Sequence, residues 1–296
     1  MSGAAAPVVS VVIPVLDPGP LLRAQLDSLA AQDFAEPFEV IVVDDGCTDG
    51  SLDAVPAYAD RLRVRVLPWQ AERVVHGPAV GRNRGVQAAS TDWVAFCDAD
   101  DVADPGWLRE LYAARTEADL VAGACDVTSL NDPTVVSARG GPEYGRSLPE
   151  GPCGFLPYAP SCNVLMSRRV LDAVGGWDES LPYCEDVDIC WRAQLHGFAL
   201  AFAPGAVMGY RYRDSVRALF RQIRRYKSAE VLLYRRFRGD GATRPTPGAA
   251  LERCWWLLSR GPYPLLDRRR RMIWVAQAGA LVGRIEGMLR HKVWYP

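Results

Sequence analysis

The chain has 296 residues, of which 49% are hydrophobic and 23% charged, and this balance excludes collagen-like, disordered and small disulfide-stapled proteins. The formal net charge of −1 hides an uneven distribution: residues 1–200 hold 14 basic and 29 acidic side chains, and residues 201–296 hold 20 and 6. The eight cysteines form no C-x-x-C pair, residues 1–7 lack the pattern of a signal peptide, and no apolar run approaches the roughly 20 residues of a bilayer span. We therefore expect reduced thiols and a cytoplasmic protein, with peripheral binding to the inner membrane face as an open alternative.

Strand and helix patterns alternate over the first 125 residues. Buried apolar runs predict strands at 8–15, 38–43, 63–67, 93–97 and 119–125, and helical spacing predicts helices at 21–32, 81–89 and 107–116. This alternation predicts an α/β fold with a mostly parallel central sheet and helices on its faces. Ligands bind such sheets at the carboxyl ends of the strands.

The second half is less regular. Glycine and proline are frequent in residues 131–160, which predicts a long irregular segment, either a functional loop or a disordered one. Further predictions are a strand at 163–167, helices at 168–174 and 186–196, a basic amphipathic helix at 214–238, a linker at 239–248 and a helical tail. The predicted division is a main domain over residues 1–238, with a donor-binding part at about 1–125 and an acceptor and catalytic part at about 155–238, followed by a basic extension over 239–296.

Three acidic clusters fall at predicted strand ends or helix starts, and each allows two interpretations. Asp98-Ala99-Asp100-Asp101 offers the oxygen ligands that Mg²⁺ and Mn²⁺ prefer, but it also fits a turn before a helix. Asp44-Asp45-Gly46 fits a contact to a base or ribose, or an ordinary turn. Glu185-Asp186 fits a general base, or a helix start that favours acidic residues.

The order and spacing of these clusters resemble the family 2 glycosyltransferases, which are inverting nucleotide-sugar enzymes of the GT-A fold. The segments that carry the resemblance are residues 9–15, 42–51, 81–85, 96–101, 175–179 and 185–192. Together they extend from residue 8 to about residue 238. The resemblance implies a nucleoside-diphosphate sugar as donor, a hydroxyl acceptor of unassigned type, and Mn²⁺ or Mg²⁺ as cofactor.

The resemblance also implies roles for single residues. Asp186 corresponds to the catalytic base, with Glu185 beside it, and Asp100 and Asp98 correspond to the metal-binding pair. The residues implied in donor nucleotide binding are Pro14, Asp17, Asp45, Arg82, Ala99 and Asp98. Trp177 and Tyr183 are candidate acceptor contacts, with loop packing an equal alternative for Trp177.

Two matters stay open at this stage. Met208 stands near the position where many relatives carry a histidine, so a third protein ligand to the metal is unassigned. The basic tail fits an anionic membrane, an anionic acceptor or donor diphosphate, or a dimer interface, while nucleic acid is not expected because no nucleic-acid motif accompanies the charge. The alternative function is a catalytically inactive module that binds nucleotide sugars or docks on membranes.

Overall fold

One eight-stranded mixed sheet organises the first 210 residues in a computed structural model that describes residues 5–70 and 76–296. Its strands lie in the order β3-β2-β1-β4-β7-β6-β8-β5. They are β1 (Val9–Val15), β2 (Phe38–Asp44), β3 (Arg63–Leu67), β4 (Trp93–Phe96), β5 (Val102–Ala103), β6 (Leu120–Asp126), β7 (Val164–Ser167) and β8 (Leu200–Gly209). Strands β1 to β4 pair in parallel, and β7 pairs antiparallel with both β4 and β6.

Ten α-helices are described in these ranges. They are α1 (Leu21–Ala30), α2 (Pro78–Ala88), α3 (Trp107–Ala114), α4 (Pro133–Ala138), α5 (Arg168–Val174), α6 (Glu185–Leu195), α7 (Val216–Phe237), α8 (Pro247–Ser259), α9 (Tyr263–Leu266) and α10 (Arg268–His291). Short 3-10 helices cover Ser51–Tyr58 and Pro152–Gly154. Among the described residues, no helix has the length and apolar character needed to cross a membrane.

The sheet carries apolar residues on both faces, and β1 illustrates the reason. Val11 and Ile13 belong to one buried cluster with residues of α1 and α3, whereas Val12 belongs to a second cluster with residues of α5 and α6. Successive side chains of a strand point to opposite faces, so a β-branched run without polar alternation is stable only when helices cover both faces.

The contacts divide the chain into two compact units. The first unit comprises residues 1–126, 145–149 and 158–210, and the second comprises residues 127–144, 150–157 and 211–296. The second unit therefore includes α7 as well as the tail. The domain boundary predicted after residue 238 stays a prediction.

Helices α7 and α10 form the frame of the second unit. Glycines recur every fourth residue along α10, and they permit close packing: a Cβ atom on Gly283 would lie 2.2 Å from the Arg224 carbonyl oxygen. A Cβ atom on Gly287 would lie 2.7 Å from Val231 Cγ2. Buried Glu230 accepts a 2.7 Å hydrogen bond from the Tyr295 hydroxyl, which ties the end of the chain to α7.

Two predictions about the second half were incomplete. The segment 131–160 is not irregular throughout, because Asp132 caps the short helix α4 by accepting hydrogen bonds from the Thr134 and Val135 N–H groups. Strand β8 was not predicted, since Pro204 and Gly205 interrupt its sequence. The ladder accommodates them with a register shift: Ala203 pairs with Gly123 and Val207 pairs with Ala124.

Candidate active site

Helix α2 lies close against β1 because two of its residues have no side chain. A Cβ atom on Gly81 would lie 2.8 Å from Pro14 Cβ, and a Cβ atom on Gly85 would lie 2.2 Å from Val12 Cγ1. This spacing of four residues puts both glycines on the face that meets the sheet. The close approach carries Arg82, between them in sequence, to the carboxyl edge of the strands.

Arg82 joins two of the three acidic clusters. Its guanidinium is 2% exposed, Nη1 donates to Glu185 Oε1 at 2.9 Å, and Nη2 donates to Asp98 Oδ1 at 2.9 Å. Burial opposes the charge, yet the carboxylates of Asp98 and Glu185 hold the pKa of Arg82 above its usual range. The structure therefore brings the turn after β4 and the start of α6 to one site. The guanidinium fork is occupied by protein carboxylates, and a contact of Arg82 with phosphate stays a prediction.

Asp186 lies in the first turn of α6, next to Glu185. Its side chain is half-buried, and Oδ1 accepts a 2.9 Å hydrogen bond from the Val187 N–H. Burial and then the charge of Glu185 raise the pKa of Asp186 to about 7, although Arg82 acts in the opposite direction. A carboxyl group with this pKa takes up and releases a proton near neutral pH.

The predicted metal site lies on the turn that follows β4. Asp98 is partly exposed, Ala99 and Asp100 form the turn, and Asp101 is buried. Ligand atoms of Asp98, Asp101 and Cys162 lie within 4.8 Å of one another, a group that among the described residues does not include Asp100. Association of Asp98 with Asp101 was not predicted.

The donor atoms decide which of these residues suit a metal. Carboxylate oxygens of Asp98, Asp100 and Asp101 are the ligands that Mg²⁺ and Mn²⁺ prefer. A hydrogen bond with Cys125 and burial raise the pKa of the Cys162 thiol well above its usual value, which keeps it neutral and a poor ligand. The carboxylates of this turn fit a hard divalent cation, and the thiol does not.

The predicted nucleoside site lies at the end of β2. Asp45 is nearly buried, and burial raises its pKa against the hydrogen bond from the Gly77 N–H. His76 Nδ1 lies 3.9 Å from Asp45 Oδ1, and the His76 ring stacks on Trp69 with 4.2 Å between ring centroids. A Cβ atom on Gly46 would lie 3.4 Å from the Trp69 ring. An aromatic pair therefore lies beside Asp45, at the strand edge where a nucleoside is expected.

Sequence reasoning missed Trp69. The signal was its position two residues after the end of β3, at the same carboxyl edge as the acidic clusters. The predicted site residues do not include His76. Its pairing with Trp69 and Asp45 depends on tertiary structure, which spacing alone does not indicate.

Asp17 ties two loops of this edge together. It has a positive φ of 46°, and its Oδ1 accepts a 2.6 Å hydrogen bond from the Thr48 N–H. In return, Asp49 Oδ2 accepts a 2.6 Å hydrogen bond from the Gly19 N–H. Asp17 therefore positions the loops after β1 and β2, and direct contact of Asp17 or Pro14 with a nucleotide stays a prediction.

Trp177 is a packing residue in this structure. It is 2% exposed, with its ring edge-on to Phe96 at 5.1 Å and 4.9 Å from Arg82 Cζ. Asn83 holds its backbone by donating to the Trp177 carbonyl at 2.8 Å and accepting from the Trp177 N–H at 2.9 Å. This burial matches the loop-packing alternative, and a contact of Trp177 with the acceptor stays a prediction. Tyr183 is half-buried before α6, and its acceptor role stays a prediction.

Arg192 has a positioning role. Its Nε donates to Asp188 Oδ2 at 2.7 Å, and Asp188 is fully buried. The Arg192 Nη2 group donates to the Gly176 carbonyl at 2.8 Å, which fixes the turn before Trp177. Arg192 therefore orients the buried carboxylate of Asp188 and fixes the adjoining turn.

Comparisons with known proteins show the family of the chain. The model of "Glycosyl transferase family 2" matches residues 10–175, and that of "Glycosyl transferase family group 2" matches residues 93–267. A pre-mycofactocin glycosyltransferase of Mycobacterium tuberculosis is 32% identical over 261 residues, covering 86% of this chain and 53% of the relative. A validoxylamine A glucosyltransferase of Streptomyces hygroscopicus is 39% identical over 225 residues, covering 66% and 53%. This chain thus spans about half the length of these relatives.

Solved structures share the fold at lower identity. Residues 1–349 of Staphylococcus aureus TarS in complex with UDP give a TM-score of 0.56 at 22% identity, covering 98% of this chain and 93% of that one. A mannosyltransferase of Pyrobaculum calidifontis in complex with GDP-mannose and Mn²⁺ gives 0.65 at 19% identity, covering 97% and 88%. The predicted α/β fold of GT-A type is confirmed by these neighbours. With a family model matched over more than half of its residues, the chain belongs to glycosyltransferase family 2.

Proposed function

We propose that this chain transfers a sugar from a nucleoside-diphosphate sugar to a hydroxyl group of an acceptor, with inversion at the anomeric carbon. The observation that carries the proposal is the bridge by which Arg82 holds Asp98 and Glu185, each at 2.9 Å. This bridge connects the turn of Asp98, whose carboxylates suit a metal ion bound to a diphosphate, to the start of helix α6, where Asp186 lies. A donor site and a base are the two parts that direct displacement requires.

Asp186 is the proposed general base. An acceptor hydroxyl has too high a pKa to attack unaided, and a carboxylate within hydrogen-bond reach removes its proton as attack proceeds. The acceptor oxygen forms a bond to the anomeric carbon while the bond from that carbon to the diphosphate oxygen breaks. The proton goes to Asp186, and the electron pair leaves with the nucleoside diphosphate. One displacement from the opposite face inverts the configuration.

Glu185 and Arg82 set the electrostatic conditions for this base. The charge of Glu185 raises the pKa of Asp186, and Arg82 limits that increase. The resulting pKa of about 7 combines substantial ionisation at neutral pH with a strong affinity for the proton. An isolated aspartate is fully ionised at pH 7 but a much weaker base.

Asp98 and Asp100 would hold the divalent cation, with Asp101 close to Asp98. When bound, such a cation neutralises the negative charge that develops on the departing diphosphate. The Mn²⁺ in the complex of the Pyrobaculum mannosyltransferase supports this assignment. The contribution of the chain is to supply hard oxygen ligands on a turn that Arg82 fixes from one side.

The donor class is supported by the relatives, and the nucleobase is left to experiment. The neighbours named above were solved with UDP in one case and GDP-mannose in the other. We therefore propose calorimetric titration with UDP, GDP, dTDP and CDP, each with and without Mn²⁺, followed by turnover assays with sugars of the diphosphate that binds.

The titration uses Asp100→Ala and, as a matched control, Asp172→Asn at an exposed position on α5. We expect one or two diphosphates to bind in a Mn²⁺-dependent manner, with binding lost in Asp100→Ala and retained in the control. Equal binding without Mn²⁺ would refute the metal assignment. Donor binding without any sugar release would favour the alternative of an inactive binding module.

A further inference from the structure

Helix α8 of the second unit presents an apolar stripe to solvent. Leu251, Trp255 and Leu258 are 72%, 71% and 74% exposed, and their spacing of four and three residues puts them on one side of the helix. The adjoining helix α9 adds Leu265 and Leu266, which are 84% and 54% exposed. We call these five residues the α8–α9 face. Large side chains exposed together in this way mark an interaction surface.

The opposite side of α8 is packed. Leu257 is 9% exposed, and its carbonyl oxygen accepts a 3.1 Å hydrogen bond from Trp274 Nε1 on α10. Trp256 packs edge-on against Tyr263, with 6.0 Å between ring centroids. The helix is therefore anchored within its unit, and the exposed stripe is its outward side.

Cationic side chains flank the α8–α9 face in sequence. Residues 247–271 hold six arginines and only two acidic residues, Glu252 and Asp267. Arg260 lies over the rings of Trp256 and Tyr263, and Arg268 to Arg271 begin α10 just after α9 and are exposed. Two of them form ion pairs, Arg268 with Asp132 at 3.3 Å and Arg270 with Asp267 at 3.4 Å, so the region keeps a net positive charge rather than a set of unpaired cations. Long apolar stems and charged ends let arginines lie beside an apolar surface while reaching toward anions.

We propose that the α8–α9 face docks on an anionic lipid bilayer. The exposed leucines and Trp255 would enter the boundary between headgroups and acyl chains, while the arginines contact lipid phosphates. Charge favours this occupant over a second copy of the chain. A symmetric contact would bring two regions of net positive charge together, whereas an anionic bilayer complements that net charge.

The test is co-sedimentation of the full chain with vesicles of phosphatidylcholine alone and of phosphatidylcholine with 30% phosphatidylglycerol, at 0.1 M and 0.5 M NaCl. The variants are Leu258→Glu and Trp255→Glu, both at exposed positions that leave the packed side of α8 unchanged. The matched control is Leu195→Glu, which makes the same change at an exposed leucine of the first unit. Circular dichroism and size-exclusion chromatography check folding and oligomeric state.

We expect the chain to bind only the anionic vesicles, and we expect high salt to weaken this binding. Each face variant should lower the affinity for anionic vesicles at least about tenfold, and Leu195→Glu should leave it unchanged. Trp255→Phe should retain binding but lose most of the blue shift in tryptophan fluorescence that vesicles cause. Absence of binding to anionic vesicles, or equal binding by the face variants, would overturn the proposal. A dimer that Leu258→Glu dissociates, without vesicle binding, would assign the face to self-association instead.

Discussion

Replacement of Asp186 by asparagine should stabilise the protein while removing its proposed base. The folded state raises the pKa of this carboxyl from its ordinary value of 3.8 to about 7. Between these values the folded protein retains a proton that the unfolded chain releases, so its stability falls as pH rises. Asparagine, which is always neutral, avoids this loss.

The size of the effect follows from linkage. From pH 5 to pH 8, the free-energy cost that a carboxyl group with these two pKa values imposes on the folded state grows by about 2 to 3 kcal/mol. The free energy of unfolding of Asp186→Asn, relative to that of the unmodified chain, should therefore increase by about that amount across this interval. For a chain of this size the corresponding change in Tm is about 5 to 10 °C.

Urea denaturation at pH 5, 6, 7 and 8 measures this difference, with unfolding followed by circular dichroism. Asp172→Asn, which changes an exposed carboxylate on α5, serves as the control and should differ little from the unmodified chain at every pH. A difference that stays constant with pH for Asp186→Asn would refute the reasoning. A difference that grows as pH falls would mean that the carboxylate is stabilised in the folded state.

Three further predictions concern activity and packing. The value of kcat/KM should rise with pH to a plateau above about pH 7, because the base acts only when Asp186 is ionised; a flat profile from pH 5.5 to 8.5 would contradict this. Gly85→Ala should lower the free energy of unfolding by about 1 to 3 kcal/mol, because the new Cβ would lie 2.2 Å from Val12 Cγ1. Gly239→Ala, where the Cβ meets nothing within 4 Å, is its control, and equal effects in urea denaturation would refute the packing argument. Arg82→Gln should cost about 3 kcal/mol of stability and move the pH–rate profile to higher pH, since buried Glu185 and partly exposed Asp98 lose their cation; an unchanged profile would exclude the electrostatic role.

Much of the first unit could be predicted because local signals and tertiary structure agree there. Strand β1 is a β-branched run that is stable only between two helical layers, and the acidic residues after β2 and β4 indicate the ligand edge of a parallel sheet. The glycines of α2 are a further local signal, because residues without side chains let α2 lie in close contact with β1.

The remaining features depend on contacts between residues distant in sequence. The resemblance implies that Arg82 binds the donor nucleotide, but it does not reveal that in the folded chain the guanidinium binds Asp98 and Glu185, 16 and 103 residues away. Trp177 is of a residue type that suits sugar binding, but in the folded chain its ring packs against Phe96 and its backbone N–H donates to Asn83. Strand β8 is stabilised by its neighbours despite Pro204, which local propensity counts against a strand.

The central claim is that Asp186 removes the proton of the acceptor hydroxyl during sugar transfer. The most direct measurement compares the rate of nucleoside diphosphate release and the donor Kd between the unmodified chain and Asp186→Asn at pH 8, using the donor identified by titration. We predict a donor Kd within about threefold and a rate lower by about 10²- to 10⁴-fold. A rate retained within tenfold would contradict the assignment, as would a rate loss fully explained by weaker donor binding.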